Sequence, residues 1–385
     1  MNTGLSTCMI QRGKTGVAQY VFALLRALLP HASKHQFHLF VLEADLPLFA
    51  FARDAMRLVT VPESERPAVR NILWHQRTLP ALARQLQLDV LHIPSYRRML
   101  WPRPCPLVAT IHDLAPFHVT GKYDWKRMLY GRVVVKRLAR RQDHLMAVSE
   151  NTARDLHTFF GLGRDRVSVV WNGIDHQRFQ PGDAAAAKAE AARRWQLDRP
   201  FFLYVSRLEH PAKNHVRLIE AFGRFKAATH SNWLLALGGS DWHGAEAVHA
   251  AAKASPVRAD IRFLGFVDDA TLPVLYHATD VFTYPSLFEG FGFPPVEAMA
   301  CGCPVISSTR GSLQEVVADA ARTVEPEDVG NLAAALTSLA SDPVERERLR
   351  SAGFANARRF DWHRNAAETL AVYERAIRSA QFGKT

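Results

Sequence analysis

Two rows of short apolar segments, each alternating with segments of helical periodicity, constrain this chain more than any other feature. In the first row, runs at 37–42, 90–93, 107–111, 144–148 and 167–171 read as strands, with helical patterns near 72–86, 128–141 and 152–160. The stretch 15–29 also has helical spacing, carried by Val17, Val21, Leu24, Leu25 and Leu28, with Thr15 as N-cap and Pro30 beyond the end. Gln180-Pro-Gly-Asp followed by four alanines reads as a linker entering a helix. A second row then begins: strands at 201–206, 233–238, 261–264, 281–284 and 304–307, with helices at 215–229 and 272–277. Alternating β and α elements argue for an α/β chain built on parallel, doubly wound sheets.

At 385 residues the chain is too long for one ordinary core, which agrees with two domains. No apolar run approaches the 18 or so residues of a membrane-spanning helix. The N-terminus lacks the charged-then-apolar pattern of a secretory signal. Cys8, Cys105, Cys301 and Cys303 follow no zinc or disulfide spacing, and Cys301-Gly-Cys303 reads as a tight turn with small buried side chains. A reducing cytoplasm is the expected compartment. Residues 1–183 hold 25 Lys and Arg against 14 Asp and Glu, a net of +11, whereas residues 184–385 hold 23 of each. The charge excess of the first half fits nucleic acid, an anionic membrane face or an anionic acceptor.

The most specific string is Glu289-Gly-Phe-Gly-Phe-Pro-Pro-Val-Glu297, continued by Ala-Met-Ala-Cys-Gly-Cys-Pro-Val-Ile306. Its glycines and prolines exclude regular helix from Glu289 to about Pro295, after which Glu297 falls in the first turns of a helix. A helix N-terminus has free N–H groups and a positive dipole end, suited to a phosphate. A carboxylate beside it can accept hydrogen bonds from sugar hydroxyls.

The string resembles the E-x7-E motif of the retaining GT-B glycosyltransferases called family 4, with both acids and the GFG-x-P pattern present. Further segments resemble the family in the expected order. Tyr204-Val-Ser-Arg207-Leu-Glu-His-Pro-Ala-Lys213 is similar to its R-x(4–5)-K element, Thr110-Ile-His112-Asp113-Leu114 to its HDL element, and Asn172-Gly-Ile-Asp175 to its NG-[VI]-D turn. Arg12-Gly13-Lys14-Thr15-Gly16 lies where relatives carry a Gly-rich turn bordering donor and acceptor. Gly16 matches and Gly13 matches more loosely.

The resemblance implies two Rossmann-like domains facing across a cleft. Residues 1–183 would bind the acceptor and 184–361 the donor, and a final helix within 362–385 would cross back to the first domain. Relatives start with a short apolar strand before residues like Asn2-Thr3. Here those follow Met1 directly, so either the first strand is missing or the start was placed late. The implied activity is metal-independent transfer of a sugar from a nucleotide diphospho-sugar, with no cofactor and with retention of anomeric configuration. The acceptor would be a glycan or lipid-linked glycan in surface polysaccharide or lipopolysaccharide synthesis. Mannose with GDP is one common donor among relatives, and other sugars stay open. Arg207 and Lys213 would bind the diphosphate and stabilise its developing charge. His112 would face the donor sugar, with Asp113 as its orienter or a local cap and a candidate acceptor contact. Glu289 would lie by the donor sugar, Glu297 would bind ribose hydroxyls, and the backbone of Gly290, Phe291, Gly292 and Phe293 would contact sugar and phosphate. Gly16, Gly239, Phe266 and Val267 would complete the donor site. Phe288 and Phe291 serve either core packing or substrate contact.

Other readings are a same-fold nucleotide-sugar epimerase or phosphorylase, and a basic nucleic-acid-binding protein. The last lacks any recognised motif, so nucleic acid is not an expected partner. The basic stretch Lys126-Arg127, Arg132, Lys136-Arg137 and Arg140-Arg141, interleaved with Trp125, Met128, Leu129 and Tyr130, is either a solvated face or an attachment to an anionic cytoplasmic leaflet. In the latter case the protein would be peripheral on the inner face of the membrane.

Overall fold

The computed structural model describes residues 1–13, 15–95, 103–118 and 130–382. The chain forms two compact units, Met1–Gly173 with Asp361–Thr385, and Ile174–Phe360. The first holds seven parallel strands: β1 (Asn2–Ser6), β2 (Gln36–Leu42), β3 (Arg57–Val61), β4 (Val90–Ile93), β5 (Leu107–Ile111), β6 (His144–Ala147) and β7 (Val167–Val169). Their order is β3-β2-β1-β4-β5-β6-β7. The second holds six: β8 (Phe201–Val205), β9 (Leu234–Gly238), β10 (Ile261–Gly265), β11 (Val281–Tyr284), β12 (Val305–Ser308) and β13 (Arg322–Val324), in the order β10-β9-β8-β11-β12-β13. Each sheet reverses its winding once, between β1 and β4 and between β8 and β11. In open parallel sheets the crevice at that switch point, outside the carboxyl ends of the strands, is where ligands bind.

Local chemistry explains the helix boundaries. Thr15 Oγ1 accepts from the Ala18 N–H and starts helix Gly16–Leu28. Helix Glu150–Phe160 is capped by Ser149 Oγ on the Thr152 N–H and ends at Gly161, whose φ of 65° is the left-handed conformation a helix stop favours. The parallel strands read as near-continuous apolar runs because both faces are covered. All residues of β4, β5 and β6 are buried.

Three expectations are corrected. The first strand is not missing: Asn2–Ser6 forms β1 itself, paired with β2 on one side and β4 on the other. It lacks an apolar run because its centre is Gly4, where a Cβ would fall 2.4 Å from Leu88 Cδ1 and 2.9 Å from Leu91 Cδ1. The first boundary lies after Gly173 rather than after residue 183. Residues 174–183 pack on the second unit, where Phe179 meets the Tyr276 ring at 6.0 Å and the Gln180 carbonyl meets His277 Nε2 at 2.8 Å. The second boundary is one residue earlier than expected, after Phe360. Ile174 N–H donates to the Phe360 carbonyl, which keeps that residue with the second unit.

The last helix, Trp362–Phe382, belongs to the first unit. Its Ala366, Leu370, Tyr373 and Ala376 share a core with Leu5, Val90, Val108 and Met146. Of the basic stretch, 125–129 lie outside the described residues. Residues 130–139 are helical, and Arg140 Nε donates to the Phe160 carbonyl at 2.6 Å, so that cation closes a helix end. Among the described residues no helix is long and apolar enough to cross a membrane.

Asn214 ties the β8 end of the second sheet to two distant segments. It is buried, and its Nδ2 donates to the carbonyls of Pro285 (3.0 Å) and Pro326 (2.6 Å). Asn214→Ala leaves both carbonyls unpaired at a position with φ of 60°. It is expected to destabilise the second unit by about 1–3 kcal/mol, read as a lower urea midpoint.

Candidate functional site

Polar groups of the second unit lie beyond the carboxyl ends of β8 and β11, the strands that flank its switch point. Arg207 follows the carboxyl end of β8, and Lys213 lies on the loop from there to helix His215–Thr229. Glu289 follows the carboxyl end of β11. Lys213 Nζ sits 2.6 Å from Glu289 Oε1, and the same oxygen accepts from Ser286 Oγ at 2.6 Å and Tyr284 Oη at 3.0 Å. Both members of the ion pair are largely shielded, with side-chain exposures of 15% and 16%. Lys213 is itself fixed from behind, since its carbonyl accepts from the buried Tyr204 hydroxyl at 2.7 Å.

Arg207 is held differently. Its guanidinium lies over the face of Trp242 at 4.8 Å and 3.3 Å from Glu209 Oε2, while half its side chain faces solvent. The two cations are thus each paired with a carboxylate, Glu209 or Glu289. They keep positive charge at a strand end without leaving a bare buried charge.

The loop carrying Glu289 is clamped by residues that local pattern does not reveal. Ser312 Oγ donates at 2.9 Å to the carbonyls of Glu289 and Phe291, and the Ser312 N–H donates to the Glu289 carbonyl at 3.1 Å. Gly311 lies flat against the loop, where a Cβ would come within 2.6 Å of the Glu289 carbonyl oxygen. Gly292 has φ of 94° and leads into helix Phe293–Ala300. Pro294 and Pro295 in its first turn have no N–H, so the donors this end can offer belong to Gly290–Phe293. Phe288 and Phe291 are both buried, and Phe291 meets the Phe360 ring at 5.3 Å, which is the packing alternative.

Glu297 lies four residues into that helix and accepts from the Tyr276 hydroxyl at 3.2 Å. Burial pushes its carboxyl up to about 7. Arg178 and the Tyr276 hydrogen bond pull it back, and Asp269 and Asp175 push it further up. Near the ends of β9 and β10, Gly239 has φ of 144° and donates to the Gly265 carbonyl at 2.7 Å. A Cβ on Gly239 would lie 1.9 Å from the Ser206 carbonyl oxygen, so this position takes glycine alone. Val267 packs against Gly238, and Phe266 is exposed. Asp268 caps the Thr271 N–H at 2.8 Å.

In the first unit, His112 follows β5. Its Nε2–H donates to the Pro94 carbonyl at 3.1 Å, at the end of β4, and its ring meets Tyr20 edge-on at 4.8 Å. Burial lowers its pKa, and the donated Nε2–H leaves Nδ1 as the acceptor nitrogen. Asp113 is a local cap: its Oδ1 accepts from the Ala115 N–H at 3.0 Å. Pro94, not Asp113, orients the histidine. Gly16 is exposed, and a Cβ there would meet nothing within 4 Å. The preceding Gln11, Arg12 and Gly13 all have positive φ, and Lys14 lies outside the described residues. Asp175 caps Gln177 and Arg178, so the Asn172–Asp175 turn has a structural task of its own. Among the described residues no group of three or more His, Cys, Asp and Glu is placed to hold a metal ion.

Comparison with known proteins identifies the family and the fold. A family model described as "Glycosyl transferases group 1" matches residues 187–355, and one described as "Glycosyltransferase Family 4" matches residues 14–178. The O-antigen chain mannosyltransferase B of Escherichia coli is 26% identical over 94% of this chain and 96% of its own. The MMP alpha-(1->4)-mannosyltransferase of Mycolicibacterium hassiacum is 32% identical over 71% of this chain and 66% of its own. Among solved structures, sucrose-phosphate synthase from Thermosynechococcus elongatus superposes with a TM-score of 0.78 at 20% identity, over the full length of both chains. The chain belongs to the family 4, group 1 glycosyltransferases of the GT-B fold.

The raised pKa of Glu297 has a signed consequence. The folded protein holds this proton up to about pH 7, whereas an unfolded chain releases it near pH 4.3. Between those values the folded state binds more protons, so the stability contributed by this group falls as pH rises. Glu297→Gln keeps an acceptor for Tyr276 and removes the ionisation. It is expected to match the wild type near pH 4 and to exceed it by up to about 3 kcal/mol at pH 8. Thermal unfolding at the two pH values checks this.

Proposed function

We propose that the protein transfers a hexosyl unit from a nucleotide diphospho-sugar to a glycan or lipid-linked glycan acceptor, with retention of configuration and without a divalent metal. The observation that carries the reading is the Lys213–Glu289 pair at the switch point of the second sheet, Nζ 2.6 Å from Oε1, with Arg207 just beyond the carboxyl end of β8. When the bond between the anomeric carbon and the phosphate oxygen breaks, its electron pair passes to the leaving diphosphate. Two cations held at the strand end stabilise that charge as it forms, which is the interaction that lowers a barrier rather than a ground state. The acceptor hydroxyl attacks from the same face as the departing diphosphate and gives its proton to a phosphate oxygen. No side-chain nucleophile enters.

Glu297 is the ribose acceptor in this reading, and the N–H groups of Gly290–Phe293 approach sugar and phosphate. His112 turns its Nδ1 to the donor sugar. Gly16, whose Cβ would meet nothing in the protein, leaves room for a ligand to approach the backbone. Both curated relatives named above are mannosyltransferases, which favours a mannosyl donor. The name of the first also favours a polysaccharide acceptor.

A thermal-shift screen against UDP, GDP, ADP and dTDP identifies the base, since a ligand at ~100 Kd adds roughly 2.7 kcal/mol of stability. With the matching donor, Arg207→Ala or Lys213→Ala is expected to lower kcat/KM about ten- to a hundredfold, the loss of one charge-assisted contact. Glu297→Ala is expected to weaken nucleoside diphosphate binding, and Glu289→Ala to depress kcat. Transfer should persist in EDTA, and proton NMR of the new linkage should show the donor's configuration. An inverted product, or near-normal transfer by the Arg207/Lys213 double variant, removes the reading.

A further inference from the structure

A chain of buried polar side chains in the first unit takes no part in the reading above. Tyr373, on the last helix, meets His92 Nδ1 with its hydroxyl at 2.7 Å. His92 Nε2, on β4, meets Thr110 Oγ1 at 2.7 Å, and Thr110 on β5 meets the Tyr20 hydroxyl at 3.1 Å. All four residues are at most 1% exposed. They come from four separate elements: the last helix, β4, β5 and helix Gly16–Leu28. Four buried polar groups could be replaced by apolar ones of similar size at little cost in stability. Their presence calls for a reason other than packing.

The chain ends at Tyr20, and the other side of that ring shows what Tyr20 supports. Its edge meets the His112 ring at 4.8 Å with an interplanar angle of 80°. The ring also contacts Trp362 at 5.9 Å. Trp362 and Tyr373 are both on the last helix, eleven residues apart, about three turns, so they leave the same face of it. That helix therefore fixes Tyr20 twice. Trp362 bears on the ring, and Tyr373 fixes the hydroxyl through His92 and Thr110. His112 is then confined between the Tyr20 edge and the Pro94 carbonyl. Pro94 directly follows β4, the strand that carries His92.

We propose that Tyr20, Thr110, His92 and Tyr373 are positioning residues that lock the imidazole of His112 in one orientation, its tautomer being set by the Pro94 carbonyl, and that the last helix is the splint from which this is done. The proposal rests on the reading of His112 as the group that faces the donor sugar. Proton relay is not the task. Burial holds His92 neutral down to about pH 3 and pushes both tyrosines far above the physiological range. The groups fix geometry and carry no charge. A histidine offering one nitrogen to a sugar hydroxyl needs that nitrogen aimed to within a few tenths of an ångström, because a misplacement of about 1 Å can cost a hundredfold in rate.

Two measurements test this. Long-range proton–nitrogen correlation of labelled histidines in the free protein should show His112 as one neutral Nε2–H tautomer. Tyr20→Phe, Thr110→Val and Tyr373→Phe, which keep side-chain shape, should each broaden or split the His112 signals and leave those of His215, in the second unit, unmoved. With the donor found by the nucleotide screen, the same variants should lower kcat about three- to tenfold at a donor KM within about twofold of wild type. Well below the melting temperature, a purely structural chain would change neither. The effects should also vanish in a His112→Gln background, since the chain acts only through that ring. Unchanged His112 signals in Tyr373→Phe, or the same fold-loss of kcat with and without His112, overturns the proposal. Full activity of His112→Gln alone overturns the underlying reading of His112 instead, and the spectra still report whether the chain orders the ring.

Discussion

The ion pair between Lys213 and Glu289 is the contact around which the second unit is arranged. Glu289 Oε1 receives Lys213, Ser286 and Tyr284 at 2.6–3.0 Å. The carbonyls of Glu289 and Phe291 are bound by Ser312, and the Glu289 backbone is pressed against Gly311. Without that anchoring, a loop of two glycines and two prolines would have no reason to hold one shape. Parallel winding brings the ends of β8 and β11 side by side, and the proposed chemistry occupies the junction the winding leaves open.

Stability and site chemistry pull against each other at Glu297. A carboxyl held up to about 7 is destabilised as an anion, and a neutral isostere would suit the fold better. The ribose-binding role proposed above would account for an acid there, as an exchange of stability for function. Gly239 shows the same tension in the backbone: its conformation and its contact with the Ser206 carbonyl exclude every side chain.

What could be read from the sequence follows the range of the interactions involved. Strands β4, β5 and β11 and helix His215–Thr229 have the bounds the periodicity predicts, because buried apolar runs and caps are local signals. β1 was missed because a strand of Asn, Thr, Gly, Leu and Ser carries no apolar alternation. β3 and β13 lie at sheet edges, and helices Ala245–Ala254 and Val329–Ser341 are alanine-rich. Within the site, the basic and acidic residues of the motifs were legible singly. Their pairing was not, because Lys213 and Glu289 are 76 residues apart. Ser312 and Pro94 reach their partners only once the chain is folded, 23 and 18 residues away. Glu209, two residues from Arg207, and Ser286, three from Glu289, were partners within local reach.

If the two cations bind a diphosphate as proposed, their pairing bears on a problem every phosphate-binding protein meets in a cell, where inorganic phosphate and free nucleotides abound. Arg207 rests on Glu209 and Trp242, and Lys213 rests on Glu289. A small anion arriving alone has to displace an internal carboxylate in exchange for one of like charge, which gains it little. A ligand that also engages Glu297 and the backbone around Gly239 brings further contacts to offset that exchange. In the proposed reading, discrimination comes from occupied cations, a repulsive element set against the wrong guest.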